Sequence, residues 1–300
     1  MEFRVLQYFL SVAREQSISA AAESLHLSQP TLSIQIKALE DELGKQLLIR
    51  GTKGSRKVLL TDEGMILRKR AEEILALVQK AKGEVQMTED SIAGDVYIGA
   101  GETDIIRYFA RAAKRLKESC PDIRYHISSG NAQFVMEQLD KGLVDFGLMY
   151  GPVDRTKYEA FTLPIGDRFG VLMRRDDPLA QREWIAPEEL RDKPLILSSQ
   201  DQNEGWIVSS QIRQDVANLH VAATYNLIFN ASLMVEEGLG YAVCLEKLIN
   251  TSGNSPLCFL PLHPDIVITP SIVWKRYQIF SKASERFLQE LKRAMDFSQA

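Results

Sequence analysis

No run of about eighteen apolar residues occurs in the 300-residue sequence, so no segment is long and apolar enough to cross a bilayer as a helix. The opening stretch MEFRVLQYFLSVAREQ carries charges at Glu2, Arg4, Arg14 and Glu15 and lacks a small-residue cleavage site. A secretory signal is therefore not expected, and a cytoplasmic location is. Cysteine is scarce: Cys120, Cys244 and Cys258 are odd in number and spaced like neither a disulfide framework nor a zinc site. Cys244 in GYAVCLE and Cys258 in LCFLPL sit in apolar runs, which predicts buried thiols and disfavours a thiol-based redox sensor. The four histidines, His26, His126, His220 and His263, are scattered. No paired carboxylates or metal-ligand spacings accompany them. GAGETD lacks the dinucleotide-binding spacing, and LILSSQ is no nucleophile elbow. No enzymatic activity, catalytic residue, metal or cofactor is expected.

Acidic residues are also missing from one place. None occurs between Glu42 and Asp62, while Lys45, Arg50, Lys53, Arg56 and Lys57 all fall there, on a chain whose net charge is −4. A local basic patch on an acidic chain is an electrostatic footprint for phosphates or a solvated loop, and its neighbours decide which. The length suggests two or three domains.

Apolar spacing organises the N-terminal part. Leu6, Phe9, Leu10 and Ala13 mark one helix. Ala21, Ala22 and Leu25 mark a second, with Ser17 or Ser19 as its cap, and their small side chains permit close helix crossing. A third helix follows Ser28 and Gln29, with Pro30 at its start and Leu32, Ile36, Leu39 and Leu43 as its stripe. Its other face carries Pro30, Ser33, Ile34, Lys37 and Asp41, with Thr31 at the edge. This is helix-turn-helix patterning. Leu47 to Arg50 and Val58 to Leu60 read as two strands around a cationic Gly51/Gly54 turn, which makes a wing. From Thr61, a capping residue by type, Leu67, Ala71, Ile74, Val78, Ala81 and Val85 alternate in steps of four and three. That seam suits a two-helix coiled coil better than the chain's own core, and implies a homodimer.

After residues 86–95 strands and helices alternate. DVYIGAG (95–101), IRYHISSG (123–130) and LVDFGLMYG (143–151) read as strands with helices between them, which implies a parallel sheet. IVITPSIVWKR reads as one late strand and SKASERFLQELKRAM as a closing helix. The fold class is α/β, beginning with a mainly α winged helix-turn-helix and a long linker helix.

The run SISAAAESLHLSQPTLSIQIKALEDELGKQLLIR, followed by LTDEG, closely resembles the N-terminal signature of LysR-type transcriptional regulators. The resemblance spans A-A-x-x-L, S-Q-P-x-x-S-x-Q-I-x-x-L-E-x-x-L-G, L-x-R and L-T-x-x-G over roughly the first sixty-five residues. Leu48 stands where the family often has phenylalanine, Glu63-Gly64 replaces an alanine-glycine, and Ile34 occupies a position that is frequently polar or basic. The resemblance implies a DNA-binding domain at 1–60, a linker and dimerisation helix at 61–90, and a two-lobe effector domain of periplasmic-binding-protein type at 91–300. Lobe I would hold 91–163 and 268–300, and lobe II 164–267. It places the third helix in the major groove of double-stranded DNA. Ser28, Gln29, Pro30, Thr31, Ser33, Ile34 and Gln35 would meet base edges or the groove wall, with Gln29 suited to adenine and Ile34 to a thymine methyl. Lys37, Arg50, Lys53, Arg56 and Lys57 would meet phosphates.

Strand ends and helix starts predict the regulatory site, since ligands of open α/β sheets bind outside the carboxyl ends of the strands. Gly101, Glu102 and Thr103 follow the first strand, Ser128, Ser129, Gly130 and Asn131 the second, and Ser198, Ser199 and Gln200 a strand of lobe II, with Asn226 and Phe229 as further lining. Helix starts favour an anionic small-molecule effector. Glu102 would repel a carboxylate unless turned away or paired with Arg107, which leaves a neutral or cationic effector open. Alone, Thr103 and Ser128 would read better as helix caps. A homotetramer and contact with RNA polymerase also accord with the resemblance. The competing readings are a solute-binding protein without a DNA role and a redox-sensing regulator.

Overall fold

Local capping sets the first helices. Ser17 Oγ accepts from the Ala20 amide at 3.3 Å and starts α2 (Ile18–Ser24) after α1 (Phe3–Glu15). Ser28 Oγ accepts from the Thr31 amide at 3.2 Å and starts α3 (Gln29–Leu43). A cap of this kind contributes about 1 kcal/mol. Gly44 ends α3 at φ 64°, a left-handed conformation that costs glycine little. Leu32, Ile36 and Leu39 are buried with Phe9, Val12, Ala21 and Ala22. Leu43, expected in the same stripe, is instead exposed. It is the last helical residue, where the chain turns off through Gly44.

β1 (Leu48–Arg50) pairs antiparallel with β2 (Val58–Leu60). Glu40, on α3, holds the hairpin base: its Oε1 accepts from the Leu47 and Leu48 amides at 2.8 and 3.1 Å. Thr61 Oγ accepts from the Gly64 amide at 2.9 Å and opens the long helix α4 (Asp62–Val85), which packs on α1. The heptad seam divides here. Leu67 joins the helix-turn-helix core and Ala71 is fully buried, so these two positions serve the chain itself. Ile74 and Val78 are half-buried, and Ala81 and Val85 are exposed.

The computed structural model describes residues 1–51, 57–85, 92–199 and 219–296. Contacts divide the chain into two units, Met1–Gln86 and Met87–Ala300. In the second unit β3 (Gly94–Ala100), β4 (Ile123–Ser129) and β5 (Phe146–Tyr150) run parallel, joined through α5 (Ile106–Ser119) and α6 (Ala132–Asp140). β6 (Tyr158–Thr162) and β13 (Pro270–Lys275) complete the order β4-β3-β5-β13-β6. α5 and the closing α8 (Lys282–Asp296) cover one face through Phe109, Leu116, Phe287 and Leu291, and α6 covers the other through Val135 and Leu139.

A second sheet has the order β11 (Leu257–Pro261), β7 (Asp167–Arg174), β10 (Tyr241–Leu245), β8 (Leu195–Ser198), β9 (Val221–Tyr225). Here β8, β9 and β10 are parallel, whereas β7 and β11 are antiparallel additions. α7 (Ile228–Glu236) packs on this sheet. The single strand expected from IVITPSIVWKR is two. β12 (Val267–Ile268) pairs with the start of β7, and β13 enters the first sheet. Val267 and Thr269 are exposed whereas Pro270 to Val273 are buried, so the apolar run hides both a change of partner and a change of burial.

One glycine fixes the junction of wing and α4. A Cβ on Gly64 would lie 2.2 Å from the Leu47 carbonyl oxygen, a backbone atom held in the wing. Alanine favours a helix interior over glycine by about 1 kcal/mol, but overpacking costs about 1–3 kcal/mol. Gly64→Ala is therefore expected to lower the melting temperature of the N-terminal unit by several degrees. A rise would show that the junction yields freely.

Candidate functional site

The strands of both sheets end around one cavity of about 120 Å³. From the first sheet come Gly101 and Glu102 after β3, Gly130 and Asn131 after β4, and Tyr150 at the end of β5. From the second come Ser198 ending β8, Tyr225 ending β9 and Leu245 ending β10, with Asn226 and Ile228 beside them. Phe169 of β7 and Ile268 of β12, on the strands that join the sheets, form the wall between. Gly130 is required there, because a Cβ would lie 2.2 Å from the Phe134 ring of α6.

Several residues expected in the cleft are elsewhere. Ser128 and Ser129 are still inside β4, paired with Gly99 and Ala100, and the crevice begins one residue later at Gly130. Thr103 is buried but does not line the cavity: its Oγ accepts from the Ile105 amide at 3.0 Å and donates to Asp167 Oδ2 at 2.5 Å. Phe229 is 62% exposed on the outer side of α7, and its neighbour Ile228 lines the cavity instead. Ser199 lies outside the lining, and Gln200 lies outside the described residues. The tyrosines Tyr150 and Tyr225 were missed. Applying the strand-end rule to every parallel strand, rather than to ends bearing hydroxyls and glycines, would have found both.

Among the described lining residues Glu102 is the only charged one. Its carboxylate accepts from the Ile228 amide and so bridges the two lobes at the start of α7. The pairing considered with Arg107 does not form, because Arg107 pairs with Asp104. Asn131 Oδ1 accepts from the Phe134 amide at 2.9 Å at the start of α6. One amide at each of these two helix starts is thus bonded to the chain's own side chains.

Beside the cavity, at the first residue of β7, Asp167 is buried and receives hydrogen bonds from Thr103 and Tyr150. Burial raises its pKa above the ordinary carboxylate value, outweighing the two hydrogen bonds that lower it. Burial, and then the Asp167 charge, push the Tyr150 phenol well upward too.

In the N-terminal unit Ser28, Gln29, Pro30, Thr31, Ile34 and Lys37 are exposed on α3, and Ser33 and Gln35 are partly so. Ile34 is 66% exposed, a large apolar side chain with no packing role in the described chain. Ser28 and Thr31 hydroxyls bond each other at 2.7 Å, so capping occupies part of the expected contact set. Lys37 makes no ion pair among the described residues, whereas Arg50 lies 3.6 Å from Glu40. Lys57 is exposed at the base of the wing, and Lys53 and Arg56 lie outside the described residues.

The family model for the LysR substrate binding domain matches residues 89–296, and that for the bacterial regulatory helix-turn-helix protein of the lysR family matches residues 3–65. The chain belongs to the LysR family of DNA-binding transcriptional regulators. It is 27% identical to the uncharacterized HTH-type transcriptional regulator YvbU of Bacillus subtilis (strain 168), over 90% of this chain and 87% of the relative. It is 31% identical to the hydrogen peroxide-inducible genes activator of Dickeya chrysanthemi, over 92% and 90%. The crystal structure of CbnR, a LysR family transcriptional regulator, shares the fold with a TM-score of 0.77 at 19% identity, covering 98% of this chain and 99% of that one.

One relative is named a hydrogen peroxide-inducible genes activator, but Cys244 and Cys258 here are poorly placed for thiol oxidation. Cys244 is buried, and burial pushes its pKa up to about 12, so at neutral pH it is a thiol rather than a reactive thiolate. Burial also raises Cys258. The two pack against opposite sides of the second sheet, Cys244 with Ile196 and Ala231, Cys258 with the cluster around Val171 and Val243.

The raised pKa of Asp167 has a definite sign. The folded state holds the proton more tightly than the unfolded chain, so this group costs nothing below the unfolded pKa. The cost grows as pH rises and is complete above the folded pKa. Asp167→Asn keeps an acceptor for Thr103 and Tyr150 and removes the charge. Its melting temperature is expected to rise relative to the parent increasingly as pH climbs above the ordinary carboxylate value of about 4, and parallel melting curves would contradict the assignment.

Proposed function

We propose that this LysR regulator reads its operator with the exposed start of α3 and is controlled by a small molecule in the inter-lobe cavity, without catalysing a reaction, in the cytoplasm. The observation that carries the DNA assignment is the outer face of α3. Short side chains at Thr31 and Ser33 let the helix enter the major groove, Gln29 carries an amide that suits adenine, and Ile34 offers its apolar side chain where a thymine methyl would stand. Lys37, with no acidic partner among the described residues, is available for a phosphate. Arg50 and Lys57 extend the positive surface along the wing, and by sequence Lys53 and Arg56 add to it.

A homodimer completes this reading. The exposed end of the seam, Ala81 and Val85, together with Ile66 at 65% exposure, supplies apolar surface on α4 for a partner helix. Two copies of α3 would then meet two half-sites. Ligand in the cavity would change the lobe geometry, and the paired helices would convert that change into half-site spacing.

On DNA from upstream of the protein's own gene, measured by fluorescence anisotropy over a range of salt, Lys37→Ala is expected to weaken binding to all sequences and reduce the salt slope by about 1. Gln29→Ala is expected to cost about 1–3 kcal/mol at one base pair only. Equal affinity of both variants and the parent would remove α3 from the interface. Ala81→Glu, at an exposed position, is expected to leave the fold intact and shift sedimentation from dimer to monomer. An unchanged dimer would place the interface elsewhere.

A further inference from the structure

The cavity between the lobes is small and its walls are mainly apolar, with Ser198, Asn131 and Asn226 as neutral polar residues. At about 120 Å³ it is close to the roughly 150 Å³ that accommodates benzene in an apolar site, which sets the bound body at about one ring or an equivalent aliphatic group. Phe169, Leu148, Leu245 and Ile268 supply hydrocarbon. The tyrosines also present mainly their rings, since the Tyr150 hydroxyl donates to Asp167 and that of Tyr225 donates to the Val243 carbonyl at 2.7 Å.

The electrostatics are one-sided. No lysine, arginine or histidine lines the cavity among the described residues, and Glu102 pairs with none of them. The nearby guanidinium groups are engaged: Arg107 with Asp104, and Arg168 with Glu246 at 3.2 Å. One first-turn amide of each neighbouring helix is also taken, that of Ile228 by Glu102 and that of Phe134 by Asn131. An anionic ligand would meet an uncompensated like charge in a poorly solvated site. A cation would gain the Glu102 carboxylate and the faces of the surrounding aromatic rings.

We propose that the cavity binds a small organic cation, a protonated amine on an apolar body of about one ring, with Glu102 as its counter-charge. This rests on the reading of the cavity as the effector site. It sets this chain's ligand apart from the anion that helix starts alone would suggest. The Glu102 oxygen that accepts from Ile228 keeps that bond, and the ammonium group meets the second oxygen. The cation thereby ties the β3 turn of lobe I to the start of α7 in lobe II.

The test uses three probes of one skeleton, benzylammonium, benzyl alcohol and benzoate, titrated calorimetrically into the full chain. Benzylammonium is expected to bind at least about tenfold more tightly than benzoate, as a charge-assisted hydrogen bond allows. Glu102→Gln is expected to weaken benzylammonium about tenfold and to leave benzyl alcohol within about twofold, which separates a lost charge from a damaged fold. Ala132→Trp, which fills the cavity from the start of α6, is expected to abolish all probe binding. Benzoate preferred by the parent and lost in Ala132→Trp would overturn the cation while leaving the site in place. Probe binding unaffected by Ala132→Trp would overturn the site itself. Failure of all three probes to bind would overturn the assigned size and charge together.

Discussion

The two lobes of the effector domain are joined by two neighbouring strands, β7 and β12, and every property of the cleft follows from that join. Val267 pairs with Arg168 and Ile268 with Asp167, so the two passages move as one ribbon. At its lobe I end the Asp167 carboxylate is gripped by Thr103 from the β3 turn and Tyr150 from the end of β5. At its lobe II end Arg168 holds Glu246 after β10. A buried carboxylate with two donors is costly to form and costlier to break, because losing either donor leaves a desolvated acceptor. The join therefore has a defined geometry, and Phe169 and Ile268 on it are presented to the cavity.

Glu102 is the second contact that spans the lobes, and it differs in kind from the ribbon. It is a single side chain reaching from a turn to a helix start, partly exposed, and removable by a substitution. A rigid ribbon on one side and a removable latch on the other are what a hinge requires. Few kcal/mol separate such states, so modest differential binding shifts their populations.

Much of this fold was legible because its signals are local. Ser17, Ser28 and Thr61 each cap a helix through an amide three residues on, Gly44 ends one within four, and the apolar stripes of α1 to α3 need no knowledge of distant partners. The divided strand at 267–275 was not legible. Its two halves pair with different strands, and that is settled by chain about a hundred residues away. The heptad seam misled in its first half for a similar reason: Leu67 and Ala71 satisfy the coiled-coil spacing and equally the surface of α1. In the cleft, hydroxyl-bearing turns drew attention to Thr103 and Ser128. The structure uses Thr103 to hold Asp167 and leaves Ser128 inside β4, while tyrosines at strand ends line the space.

Coupling between the cavity and the DNA is the claim on which regulation depends, and it can be measured without knowing the natural effector. A nuclease footprint of the full chain on DNA upstream of its own gene, compared between the parent and Ala132→Trp, tests it most directly. If the filled cavity props the lobes in a different geometry, the two proteins will protect half-sites of different spacing or extent. Identical footprints at every salt concentration would show that the cavity does not control the DNA contacts.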